Sequence, residues 1–201
     1  MSAFASSRGE RARLRRRGLQ LEYTTLAWNV LGVVVLGITA VAARSVALAG
    51  FGLDSLIEIA ASTVVIWELS DAHDTRRRPA LRLIASAFIV LALYLFAQST
   101  WVLATGHHAH HSIGGIAWTA ITAAVMFALA AGKARTGARL GNPVLQAEGR
   151  VTFVDGILAA AVLLGLLLNA LLGWWWADPA ASYVLVFYAA REARAIFREQ
   201  P

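Results

Sequence analysis

The chain has no cysteine, and only 15% of its 201 residues are Asp, Glu, Lys or Arg. Without cysteine, disulfide frameworks, thiolate metal sites and cysteine nucleophiles are all excluded. A soluble domain carries about 25% charged residues, so the scarcity of charge argues against one. Phosphate-binding glycine loops, nucleophile elbows and zinc-protease helix motifs are missing as well. No histidine falls inside a long apolar stretch, which leaves an intramembrane hydrolase without a nucleophile–base pair. The chain is not read as an enzyme, and no bound cofactor is expected.

What is present is apolar: 58% of residues are hydrophobic, with a mean hydropathy of +0.61. A membrane-crossing helix needs about 20 such residues for a core roughly 30 Å thick. Six segments are candidates: Thr24–Ala42, Val46–Leu69, Leu83–Leu103, Ile113–Ala131, Val151–Leu172 and Ala177–Ala190, the sixth being the shortest. The expected fold is therefore an all-α membrane protein, a bundle of six transmembrane helices. Residues 1–22 form a basic tail, 23–195 the membrane domain and 196–201 a short second tail.

Basic residues alternate between the connections. Arg8, Arg11, Arg13 and Arg15 to Arg17 precede the first span, and Arg76 to Arg78 with Arg82 separate the second and third. Lys133, Arg135, Arg139 and Arg150 separate the fourth and fifth, and Arg191, Arg194 and Arg198 follow the sixth. Only Arg44 lies on the other side, so both termini are expected in the cytoplasm of a multi-pass inner-membrane protein. The net charge of +6 is read as this asymmetry facing anionic lipid, not as a nucleic-acid surface, because no recognition motif accompanies it. Trp101, Trp118 and Trp174–Trp176 fit an aromatic belt at one face and Trp67 at the other. Asn142 before Pro143, and Asp178 before Pro179, read as helix N-caps with proline opening the helix. A signal peptide is the competing reading of the N-terminus, but the apolar stretch is long for one.

Acids within the spans carry the functional signal. Asp54 and Glu58 lie in the second span and Asp155 in the fifth, each costing about 2.5–3.5 kcal/mol near the bilayer centre. No Lys or Arg is expected inside a span to neutralise them. Asp54 and Glu58 are four residues apart, so their carboxyls share one helical stripe, about 6 Å from each other. Oxygen ligands in that arrangement suit a divalent cation, and Asp155 would add a third from another helix. Glu148, seven residues before Asp155, lies on the same face roughly 10 Å away. It reads either as an inner-gate ligand or as a solvated acid at the membrane surface. Carboxylates crowded in a low-dielectric site bind metal and protons in competition, the minimum chemistry of metal–proton antiport.

The segment Ser45-Val-Ala-Leu-Ala-Gly-Phe-Gly-Leu-Asp54-Ser-Leu-Ile-Glu58 resembles the second helix of the cation diffusion facilitator family. Ala147-Glu148-Gly149 through Asp155, and Gly173-Trp-Trp-Trp-Ala-Asp178-Pro179, resemble its fifth helix and the turn that follows. The resemblance implies cation efflux and places Asp54, Glu58 and Asp155 at the family's transport-site positions. A fourth position, usually His or Asp, is Val151 here, which argues against a tetrahedral zinc site. Thr152, Glu148 or Gln98 on the third span would compensate with oxygen ligands. The family's cytoplasmic metal-binding domain is not found after the sixth span, so a homodimer would form through the membrane helices. The expected substrates are a divalent ion (Zn, Mn, Fe, Co or Ni) and protons. Asp71, His73 and Asp74 match a region where some relatives hold a second metal, with an ordinary solvated turn as the plainer reading. His107, His108, His110 and His111 form a loop cluster able to bind metal loosely. The alternative function is a non-transporting membrane protein that binds metal or assists a partner.

Overall fold

The computed structural model describes residues 2–43, 46–70, 77–106 and 112–198. Among them are six helices: α1 (Ser2–Ala43), α2 (Val46–Leu69), α3 (Arg77–Thr105), α4 (Ile113–Leu140), α5 (Pro143–Leu172) and α6 (Ala177–Arg198). Asp71, His73, Asp74 and the histidines at 107, 108, 110 and 111 lie outside the described residues.

The bundle is turned inside out relative to a soluble protein. Val41, Ile113, Leu171 and Phe187 are largely exposed, whereas Glu22, Lys133 and Glu148 are completely buried. Apolar side chains gain nothing by leaving a lipid solvent, while polar groups do, so this inversion marks a membrane protein. Four helical stretches are long and apolar enough to cross a bilayer: Gly9–Ala42, Arg78–Thr105, Ile113–Leu140 and Pro143–Leu172. Helix α2 has 24 residues, yet it carries Asp54, Glu58 and Glu68, and α6 carries Arg191, Arg194 and Arg198 near its end. The charges that single out α2 and α6 differ in placement. Those of α2 are all buried in the bundle.

Several helices outrun the apolar stretches from which they were expected. Helix α1 continues unbroken back through the arginine-rich segment, α4 runs past Ala131 to Leu140, and α6 runs past Ala190 to Arg198. Backbone hydrogen bonding, not hydropathy, sets where a helix ends. At the α4–α5 turn the ends are well defined. Gly141 closes α4 in the left-handed region (φ 63°), which glycine adopts without a Cβ clash, and Asn142 caps α5 by accepting from the Leu145 N–H at 2.9 Å. The expected cap at Asn142 is thus observed. At the other proline the helix begins at Ala177, with Asp178 its second residue.

Helix α5 sits centrally, packing extensively on α4 and also touching α6, α2 and α3. Its approach to α4 needs a glycine: a Cβ on Gly149 would stand 3.2 Å from both the Ala134 nitrogen and the Lys133 Cβ. Helices α1 and α2 form a second close pair, with Gly52 against Leu36 and Gly32 against Ser55. Gly37, on the same helix as Gly32, faces open space. Trp118 stacks on Trp28 between α4 and α1, with ring centroids 5.0 Å apart. Asn29 bonds to the Thr25 carbonyl within its own helix.

Asn142 does more than cap. Its amide nitrogen also reaches both carboxylate oxygens of buried Glu68 at 3.1 Å. Asn142→Ala is expected to lose about 1–2 kcal/mol from the cap alone, with a further loss because Glu68 forfeits these donors. Thermal melting in detergent, compared with Asn142→Asp, which keeps the cap but repels Glu68, separates the two contributions.

Candidate cation site

Helix α2 buries Leu48, Phe51, Asp54, Ser55, Glu58, Ala61, Ser62, Val65 and Glu68, a stripe with helical spacing. The acids stand on the same face as the apolar core residues, so packing that face against α5 carries them inward. The two helices run antiparallel in a constant register. Asp54 meets Asp155, Glu58 meets Thr152, Ser62 meets Glu148, and Glu68 meets Asn142. At 1.5 Å per residue this polar ladder is about 20 Å long.

The ladder has two distinct parts. At one level Asp54 and Asp155 face each other across α2 and α5. Neither Asp155 oxygen has a hydrogen-bond donor, and Asp54 Oδ2 has none. One helical turn along, Thr152 Oγ donates to Glu58 Oε1 at 2.6 Å and accepts from Lys133 Nζ at 3.0 Å. Lys133 Nζ also donates to Glu148 Oε1 at 2.5 Å and lies 3.1 Å from Glu22 Oε2. Ser62 Oγ completes this level, 3.3 Å from Glu148 Oε1. Of the buried carboxyls at these two levels, Glu22 and Glu148 contact the Lys133 ammonium. Buried charge of one sign is tolerated only when cations or protons supply the balance.

This corrects the sequence reading at two points. Lys133 is not a solvated residue of a connecting loop, and the acids do not lack a neighbouring cation. Helix α4 extends two further turns beyond its apolar stretch and carries Lys133, completely buried, into the bundle. Glu148 is likewise not a solvated surface acid, because it is completely buried and bonded to Lys133. Glu22 went unnoticed within a segment taken for a tail. It lies on a buried stripe of α1 formed by Leu14, Gly18, Glu22, Thr25, Asn29, Gly32 and Leu36, and that helical spacing was the available signal. A signal for Lys133 also existed: it is the chain's only lysine among 18 basic residues.

The remaining candidates are placed as follows. Thr152 is buried between Glu58 and Lys133. Val151 is buried among apolar core residues. Gln98 is half-buried on α3. Asp71 and His73 fall outside the described residues. Among the described residues, no three His, Cys, Asp or Glu side chains already converge as a metal-binding group. The geometry offers a two-carboxylate pair, with Glu58 a turn away and engaged by Thr152.

No curated protein matches the chain. Residues 23–200, however, match the cation efflux transmembrane domain. That match spans nearly the whole bundle, including every α2 and α5 residue of the polar ladder, and it agrees with the resemblance seen in the second and fifth helices. The chain belongs to the cation efflux family, whose members are cation diffusion facilitators.

Proposed function

We propose that the protein exports a divalent metal cation across the bacterial-type inner membrane in exchange for protons, using a carboxylate site between α2 and α5. The observation that carries this reading is the Asp54–Asp155 pair. These acids are buried, come from two different helices, and present oxygens without donors. Two facing carboxylates are unstable together without a cation or a proton between them, and a transported ion is such a cation. Glu58 completes a three-oxygen set by exchanging its bond from Thr152 for the ion. Glu148 assists from the neighbouring level, where Lys133 holds it. Six crossings with both termini in the cytoplasm follow from placing α2 and α6 across the bilayer with the other four helices. The acids of α2 are compatible with this because they face protein and not lipid.

Metal and protons compete for the same oxygens, so loading by one favours release of the other, and rocking of the bundle would expose the pair to each side in turn. The transported ion is one of Zn, Mn, Fe, Co or Ni, and an all-oxygen set favours the harder ions. A homodimer would pack through membrane helices. The test is ion flux into proteoliposomes under an imposed pH gradient. Selective uptake that follows the gradient supports export by exchange. Binding without flux for any ion favours the alternative of a metal-binding membrane protein that senses metal or assists a partner.

Val151 makes selectivity testable. It stands one turn before Asp155 on α5, with an apolar side chain where an additional ligand would stand. Val151→His introduces an imidazole beside the oxygens and is expected to raise the preference for zinc over manganese by about tenfold or more. Competition uptake of the two ions reads the ratio directly. An unchanged ratio, with protein folded, would place the ion elsewhere.

A further inference from the structure

The level of the ladder next to the Asp54–Asp155 pair resembles an occupied ion site more than an ordinary salt bridge. Lys133 Nζ is surrounded by Glu148 Oε1 at 2.5 Å, Thr152 Oγ at 3.0 Å and Glu22 Oε2 at 3.1 Å. These oxygens come from α1 and α5, while the ammonium comes from α4. Glu58 of α2 is joined through Thr152, so four helices meet at this point. Glu22 Oε1 and Glu148 Oε2 are also buried with no hydrogen-bond partner, leaving more acceptors than one ammonium can satisfy with its three donors. A surface salt bridge has nothing like this set of oxygens converging from several helices.

The choice of residue is informative. Every other basic residue in the chain is arginine, and lysine appears once, at this position. A guanidinium is a broad planar fork suited to bidentate pairing, whereas an ammonium is a compact point charge with donors directed in three dimensions. Among side chains it is therefore the nearest equivalent of a small cation. Gly149 provides the room: a Cβ there would crowd the Lys133 Cβ at 3.2 Å.

The geometry points to a second cation site, formed by Glu22, Glu148, Thr152 and, through Thr152, Glu58, whose resident cation is the protein's own Lys133 ammonium. This site is separate from the Asp54–Asp155 pair, and the ion it would accept if the lysine were absent is a hard, oxygen-loving one such as Mn2+. Its consequence for transport, that Lys133 keeps the carried ion from entering the Glu22–Glu148 level, rests on the export reading. The site itself does not.

The test removes the tethered cation and offers a free one. It uses purified full-length protein in detergent, in an Asp155→Asn background so that the proposed transport pair is disabled, with and without Lys133→Ala. Lys133→Ala is expected to lower the Tm by on the order of 10 °C. Millimolar Mn2+, or n-propylammonium, which replaces the deleted end of the side chain, is expected to recover most of that loss. Equilibrium dialysis should then count one more Mn2+ per chain than in Asp155→Asn alone. A Tm unchanged by the substitution, or a loss that neither cation repairs, overturns the inference. If Lys133→Ala does not accumulate folded, adding Glu22→Gln removes one of its two ion-paired acids and should restore accumulation; failure of that rescue also overturns it. All of these readouts are binding and stability, so an absence of flux in the parent protein would count against export and leave them unaffected.

Discussion

Asp155→Asn is expected to reduce cation flux by at least about 100-fold while leaving the bundle assembled. The side chain keeps its shape, and neither of its oxygens has a donor to lose, so little stability depends on it. What it loses is charge. Facing Asp54 across α2 and α5, an amide offers one neutral oxygen in place of a carboxylate. Disturbing even an outer partner of a metal site costs about 10–100-fold, so the loss of a direct ligand should reach at least the upper end of that range. Flux into proteoliposomes measures the effect, and extraction yield with thermal melting checks the fold. Retained flux would remove Asp155 from the ion path. Loss of assembly together with flux would make the pair structural.

Lys133→Met should do the opposite, acting mainly on stability. Methionine is of comparable length and fills the space, so no cavity opens and no free cation can enter. The change leaves Glu22 and Glu148 buried without the ammonium that both contact. Removing one partner of a buried ion pair costs about 3–5 kcal/mol, because the remaining charge is uncompensated. Adding Glu148→Gln should return part of that loss, since the amide needs no counter-charge and can still meet Ser62 and Thr152. Unfolding in mixed micelles over the four variants forms a double-mutant cycle. Simple additivity would show that Lys133 and Glu148 do not depend on each other, contrary to their geometry.

Much of this protein could be read from its sequence because membranes impose coarse rules. Long apolar stretches must form helices, since lipid offers backbone groups no partners, and all six helices stand where those stretches lie. Acids within such stretches are costly enough to advertise themselves, which brought Asp54, Glu58 and Asp155 forward as candidates. The Asn142–Pro143 cap is a local matter of backbone hydrogen bonds and was equally legible. Hydropathy is weakest at helix ends, however, because a helix continues past the apolar region wherever its backbone bonds and side-chain partners allow. Two site residues that sequence reasoning misplaced lie there: Glu22 ahead of the first apolar stretch and Lys133 just beyond the fourth. Their burial depends on α1, α4 and α5 meeting at one level, with Gly149 permitting the approach. The sequence alone determined that this is a helical membrane protein of the cation efflux type with acids in its interior. Only the tertiary structure decided which acids face one another and which face Lys133, because helix register and close packing are set by contacts between residues distant in the chain.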